Sequence, residues 1–384
     1  AYSQEQGAKL LALKSMIGDL LQRFLATDNM AGTQMIAVIR GWMPRESADT
    51  FKKALEARYG ERASMTLLPM EEVPAEQVPT KLKNSKFFRP FELLLELFPP
   101  PTYGGMDPSV WVGLSFIFFY GFILADFVYG AFIVSIAWWV YRKYGHNAIG
   151  KSIATLSLYM GVSSMAFGVV FGEYMGNLGE HFLGLQPLWT HRMSAVMPLM
   201  YISFVIGIIH VGSSFLFGIR EAMRHGHMNH AYEKAGMLSA MAAMIIAILA
   251  ILGYAIGAPT VSYGIAGGLM VASVALLFLG MGKAAVIQML EYFSLATNVM
   301  SYSRLMALGL ASTALADVGN GFVEHGGNIF VGVLIDILFQ SINFGLGLFS
   351  PTLHSLRLNY VESLPKFYDP KGYKYQPFRK ELPW

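Results

Sequence analysis

Apolar positions along this chain fall into two regimes. Residues 1–90 mix them with charge as an ordinary soluble sequence does, while residues 107–361 hold nearly all the long apolar runs. A run of about 20 apolar residues matches the hydrocarbon thickness of a bilayer. Eight such candidates lie near 108–124, 126–142, 150–175, 193–218, 233–256, 261–281, 285–316 and 328–360. The first two are short and parted only by Asp126, which predicts a tight hairpin. The last two are long: the stretch 285–316 as one helix would measure about 48 Å against a core of about 30 Å. Both are therefore expected to tilt strongly or to project from the membrane. The predicted fold class is mainly α, a polytopic membrane protein of about eight transmembrane helices. A partial N-terminal cytoplasmic α/β and coiled-coil region precedes them.

In the soluble quarter, residues 3–28 place Leu10, Leu11, Leu13, Ile17, Leu20, Leu21, Phe24 and Leu25 at helical spacing. This predicts an amphipathic helix, either one strand of a coiled-coil pair or a helix packed on its own domain. MIAVIRGWMP then predicts a strand, Ser47 an N-cap before a second helix, and SMTLLPM a second strand, a small βαβ unit. The domain reading is a soluble region over 1–90, a connector over 91–106, a membrane domain over 107–361 and a cytoplasmic tail over 362–384. The chain opens on Ala within a helix-like pattern, as a piece of a longer protein would.

Composition narrows the chemistry. The chain is 54% hydrophobic and only 14% charged, against about 25% charged in soluble domains. A net charge of +3 gives no reason to expect nucleic acid, and zero cysteines exclude thiolate metal sites and a cysteine nucleophile. No phosphate-binding GxxxxGK[ST] run is present. His225, His227 and His230 are loosely spaced, so a solvated loop is expected there, with no metal and no cofactor.

Charge in the connecting loops sets an orientation by the positive-inside rule. Lys81, Lys83, Lys86 and Arg89, then Arg142, Lys143 and Lys151, then Arg220, Arg224 and Lys234, then Lys283, and finally Lys366, Lys371, Lys374, Arg379 and Lys380 all fall on one side. The alternate loops carry Asp126, Glu180 with His181, nothing charged near Ala258, and Asp317 with Glu324. Both termini are thus expected in the cytoplasm, with Arg192 the exception at an outer end.

Polar residues inside the spans are costly and mark function. Arg304 lies deep in an apolar stretch, preceded by Glu291, Ser294, Asn298 and Ser301 on one helical face. In the last span Asp336, Gln340, Asn343, Gly347, Ser350, His354 and Arg357 are separated alternately by four and three residues. That is one face of one helix. It faces water as an ion path, or protein as a packed seam with polar glue. The two guanidinium groups cannot carry protons. They repel cations or attract a carboxylate, and none at matching depth is evident in this sequence, which points to a partner subunit. Glu173, His191, Arg192 and His210 are further intramembrane candidates, each also readable as a hydrogen-bonded structural residue.

SYSRLMALGLA at 301–311 and LHSLRLNYVES at 353–363 resemble the two arginine motifs of the membrane subunit, called a or I, of V-type and archaeal-type rotary ATPases. FFRPFELLLELFPPPTYGGMDPS, FGVVFGEYMG, IGIIHVG, GYKYQPF and the soluble GWMP are similar to further family motifs, so the resemblance covers essentially the whole chain. Relative to the family, the N-terminal half of the cytoplasmic domain has no counterpart here. The resemblance implies a stator that feeds ions through two offset half-channels to a rotating proteolipid c-ring bearing membrane carboxylates. Its other implied partners are peripheral stalk subunits, the soluble ATPase head and membrane lipid, in the plasma membrane of a bacterium or archaeon. It makes Arg304 the essential arginine and Arg357 its companion, both opposite the ring, with Glu291, Ser294, Asn298 and His354 on the cytoplasmic half-channel. Some positions depart from the pattern: LADFVYG replaces a GDAGYG-like run, and Gly347 and Ser312 stand where some members have an acid and a histidine. The outer half-channel is therefore assigned from topology to Glu173, His191, Arg192, Asp126, Asp336 and Gln340. The competing reading is a secondary cation transporter, which would need inverted repeats that the spans do not display.

Overall fold

A computed structural model of the chain describes residues 2–27, 30–33, 35–69, 73–74, 77–254, 259–325 and 329–378. Ala258, Arg379, Lys380 and the side chain of Glu324 lie outside what is described. The chain forms two compact units. One comprises Ala1–Lys81, Pro99–Gly104 and Pro370–Trp384; the other comprises Leu82–Phe98 and Gly105–Asp369. Residues 91–106 are thus divided between the two.

In the first unit α1 (Tyr2–Thr27) is followed by β1 (Met30–Gly32), β2 (Ala37–Ile39) and α2 (Arg45–Tyr59). The apolar stripe of α1 is exposed: Leu10 is 66% and Phe24 71% accessible. Among the described residues, then, it is not packed on its own domain. The expected βαβ unit does not form. β1 and β2 pair antiparallel as a short local ladder, Met30 opposite Ile39, and residues 64–69 are not a strand. A strand needs a partner, and β2 has taken its partner from the adjacent segment. Ser47 is not the N-cap either. Pro44 holds that position, and the Ser47 amide bonds its carbonyl at 2.9 Å.

The second unit is helical: α3 (Glu92–Leu95), α4 (Ser109–Leu124), α5 (Phe127–Tyr144), α6 (Ala148–Phe171), α7 (Leu178–Leu183), α8 (Val196–Arg224) and α9 (Met228–Ile251) come first. α10 (Pro259–Met281), α11 (Ala285–Gln288), α12 (Glu291–Met300), α13 (Ser303–His325) and α14 (Ile329–Arg357) follow. All eight expected span positions carry helix. Among the described residues six segments are long and apolar enough to cross a membrane: 148–171, 196–224, 228–251, 259–288, 291–323 and 329–366. α4 is apolar but shorter. The chain is a multi-pass membrane protein with a mainly α fold.

The turn between α4 and α5 follows from its residues. Ala125 takes a left-handed φ of 33°, and Asp126 caps α5 by accepting from the amides of Val128 and Tyr129, each at 2.9 Å. The tight hairpin expected there does not form: α4 and α5 both pack against α6 and not on each other, whereas α9 and α10 form one pair and α13 and α14 another. α4 and α8 pack directly on α13, so they set where its side chains point. Span seven departs from the single long rod expected. It is broken at residues 289–290 and again at 301–302.

Candidate functional site

Arg304 owes its position to the second break. The amides of Tyr302, Arg304 and Leu305 each bond a carbonyl three residues back, at 3.1, 3.4 and 2.9 Å. This tightens the turn to 3₁₀ geometry between two α-helices. Tyr302, fully buried in the break, has its hydroxyl 2.6 Å from Nδ1 of His210 on α8. The His210 ring stacks on Trp111 of α4, centroids 5.1 Å apart. The break is thereby fixed to the two helices behind it. The Arg304 side chain is one-quarter exposed, with Nη2 3.4 Å from Ser301 Oγ.

The counter-charge lies on this chain, contrary to the sequence expectation. Oε1 of Glu362 is 3.7 Å from Nη1 of Arg304, and the Glu362 side chain is 2% exposed. After α14 the helix continues as a π-helical turn, Leu358–Ser363. On an α-helix Glu362 would point about 140° away from Arg357. The wider i→i+5 turn brings positions five apart back to nearly one face. Asn359 and Ser363 anchor this turn to α4 and α8. Ser115 donates to Asn359 Oδ1 at 2.5 Å, Trp111 Nε1 to Ser363 Oγ at 3.2 Å, and the Ser214 and Ser363 hydroxyls are 2.6 Å apart. His354 and Arg357 lie in the last turn of α14, just before this π turn.

A second buried carboxylate heads a polar cluster on the N-terminal side of the break. Glu233 of α9 is 6% exposed and has His230 Nδ1 at 3.2 Å, Lys234 Nζ at 3.1 Å and Gln288 Nε2 at 3.3 Å. Lys366, partly buried three residues past the π turn, is the next basic group along that segment. Glu291 and Ser294 are exposed, and Asn298 is buried.

Beyond Arg304, nine residues and about 13.5 Å along α13, lies Thr313. It donates to Glu173 Oε1 at 2.7 Å. Glu173 pairs with Arg192 at 3.6 Å, both side chains buried. Arg192 also donates to the carbonyls of Phe122 and Ile123 and lies 4.5 Å over the Phe171 ring. It can do so because position 309 is glycine: a Cβ there would stand 2.7 Å from Arg192 Nη1. Glu173, Arg192, Thr313, Asp317, His191 and Glu180 line one cavity of about 370 Å³.

Asp126 sits beside this cavity as a helix cap, its other oxygen 3.3 Å from the Gly176 amide. Gln340 and Asp336 are not in the cavity lining. Gln340 donates to Asn320 at 2.9 Å and to Asp336 at 3.2 Å, and bonds the Tyr129 hydroxyl. Asn343 and Ser312 exchange further bonds between α14 and α13. The far half of the polar stripe is therefore engaged with protein, while His354 and Arg357 fall at the Arg304 end. His210 lines no part of the cavity; it is the hydrogen-bonded residue of its two readings.

The family model described as the V-type ATPase 116kDa subunit family matches residues 20–189 and 284–380, more than half of the chain. The chain belongs to this family. Relatives similar to it include the A-type ATP synthase subunit I of Methanocaldococcus jannaschii, 28% identical over 97% of this chain and 58% of that protein. The A-type ATP synthase subunit I of Pyrococcus horikoshii is 29% identical over 90% of the chain and 54% of its own length. The V-type ATP synthase subunit I of Chlamydia pneumoniae is 24% identical over 81% and 57%. The chain spans a little over half the length of these relatives. Both arginine motifs of this chain lie inside the second stretch matched by the family model.

Sequence reasoning missed Glu362, Glu233, Lys366 and Thr313 as site residues. Glu362 lay just past the expected end of the last span, and Glu233 at the expected start of the fifth. The signal for Glu233 was its spacing of three from His230, one turn of the same helix.

Proposed function

We propose that this chain is the stator membrane subunit of a rotary ATPase or ATP synthase. In this reading it supplies two ion half-channels to a rotating proteolipid ring and performs no ATP chemistry itself. The cytoplasmic half-channel runs along Glu233, Glu291, Ser294, Asn298, Lys366 and His354. The outer one enters through the cavity at Glu173, His191 and Arg192, with Asp126, Asp336 and Gln340 in the polar structure behind it. Arg304 and Arg357 stand between them opposite the ring, block leakage, and displace the ion from each arriving carboxylate. Peripheral stalk subunits and the ATPase head bind through the region 1–90, and the termini are cytoplasmic.

The observation that carries this reading is the offset of the two polar clusters along the broken seventh span, one at Glu233 and Gln288 and the other at Thr313 and Glu173, with Arg304 between them. A fixed positive charge in a low-dielectric gap raises the energy of any cation crossing directly. Ions then pass only by riding the ring. The test is the assembled complex in liposomes with Arg304→Ala. ATP hydrolysis is expected to drive no ion flux, and vigorous ATP-driven pumping by this variant would sink the proposal.

A further inference from the structure

Between carboxylates of a passing ring, a guanidinium that is three-quarters buried, as that of Arg304 is, needs a partner, because a charge left unpaired in a low-dielectric site costs several kcal/mol. The chain provides one. Glu362 is nearly fully buried and 3.7 Å from Arg304. That separation exceeds the 2.7–2.9 Å of a charge-assisted hydrogen bond. Among the described residues Arg304 Nη1 and Glu362 Oε2 have no hydrogen-bond partner. The pair is attracted without being locked.

The gap is fixed from behind. Tyr302, two residues before Arg304, is tied to His210 on α8, and His210 stacks on Trp111 of α4. Asn359 and Ser363, flanking Glu362, are tied to Ser115 and Trp111 of α4 and to Ser214 of α8. Both charged residues therefore hang from the same two helices, at a distance those helices dictate.

We infer that Glu362 is a standby counter-ion, a positioning residue that holds Arg304 between ring carboxylates and competes with each one for it. This rests on the stator reading above. A ring carboxylate that bonds Arg304 at hydrogen-bonding distance outcompetes Glu362. As the ring moves on, Glu362 takes the charge back, which lowers the cost of release. Without it, Arg304 clings to the ring carboxylate and each step slows.

The experiment uses the assembled complex in liposomes, comparing Glu362→Gln, Glu362→Asp and Arg304→Ala by ATP-driven ion flux per assembled complex. Glutamine keeps the shape and loses the charge. Turnover in Glu362→Gln is expected to fall by about tenfold or more, as when a buried charge loses its partner. Glu362→Asp is expected to retain most of the rate, and a double-mutant cycle with Arg304→Lys should show the two positions coupled. Wild-type turnover in Glu362→Gln overturns the inference, as does its failure to assemble, since a shape-preserving change that blocks assembly marks a structural role. Additive effects in the cycle overturn it as well. Arg304→Ala separates the two proposals: if it pumps, the stator reading falls; if it is dead while Glu362→Gln pumps normally, only the standby role falls.

Discussion

Tyr302 and His210 meet through a 2.6 Å hydrogen bond, with the histidine's Nε2 left without a partner. The bond joins α8 to the break that presents Arg304. A buried donor or acceptor stripped of its partner costs about 1–3 kcal/mol, whereas replacing both partners by apolar groups of similar shape approaches neutrality. Tyr302→Phe and His210→Phe singly are each expected to lower the thermal stability of the assembled complex by that amount. The double variant should cost less than their sum. Strict additivity in thermal disassembly would show that the two side chains do not act as a pair.

Gly309 is where Arg192 crosses α13. A Cβ at this position meets the guanidinium at 2.7 Å and the Ile123 carbonyl at 3.3 Å. Gly309→Val is expected to push Arg192 off Glu173, cost about 1–3 kcal/mol through overpacking, and suppress ion flux. Flux and thermal stability measured together check this, and a fully active variant would mean that Arg192 has another route to Glu173.

Thr313 offers a gentler probe of the same carboxylate. Thr313→Val keeps the volume and removes the 2.7 Å bond to Glu173. A hydrogen bond to a charged group contributes about 1.5–3 kcal/mol. The variant should assemble, with reduced ATP-driven flux and a wild-type rate of hydrolysis by the detached head. Undiminished flux would separate Thr313 from the outer path.

Asp126 distinguishes capping from conduction. Its carboxylate accepts from the amides of Val128 and Tyr129, a task asparagine performs equally well. Asp126→Asn keeps the cap but loses the acceptor of the Gly176 amide, so it is expected to cost less than Asp126→Ala, which loses about 0.5–2 kcal/mol. If Asp126→Asn is stable yet ion flux falls, the charge itself serves the outer half-channel.

Much of this arrangement was legible from residue spacing. The eight apolar runs all became helix, and the alternation of four and three from Asp336 to Arg357 holds along the whole of α14. Glu173, His191 and Arg192, grouped on the outer side from topology, line one cavity. What spacing could not convey were departures from 3.6 residues per turn. The 3₁₀ tightening at Tyr302 and the π turn after Arg357 change which residues share a face, and no side chain in SYSR or RLNYVES announces either. Glu362 was hidden for that reason. Strand pairing failed differently: residues 64–69 have strand-like composition, but a ladder depends on a neighbour that composition does not name.

The π turn at Leu358–Ser363 also has a meaning for chain length. It accommodates residues at a wider spacing than the helix before it, so the face assigned to everything downstream depends on how many residues the turn holds. Removing one residue there would leave composition almost unchanged, yet would rotate Glu362 and the Ser363 anchor out of place together. In this short stretch the number of residues is as stringent a requirement as their identity. Insertions and deletions there should be less tolerated than substitutions.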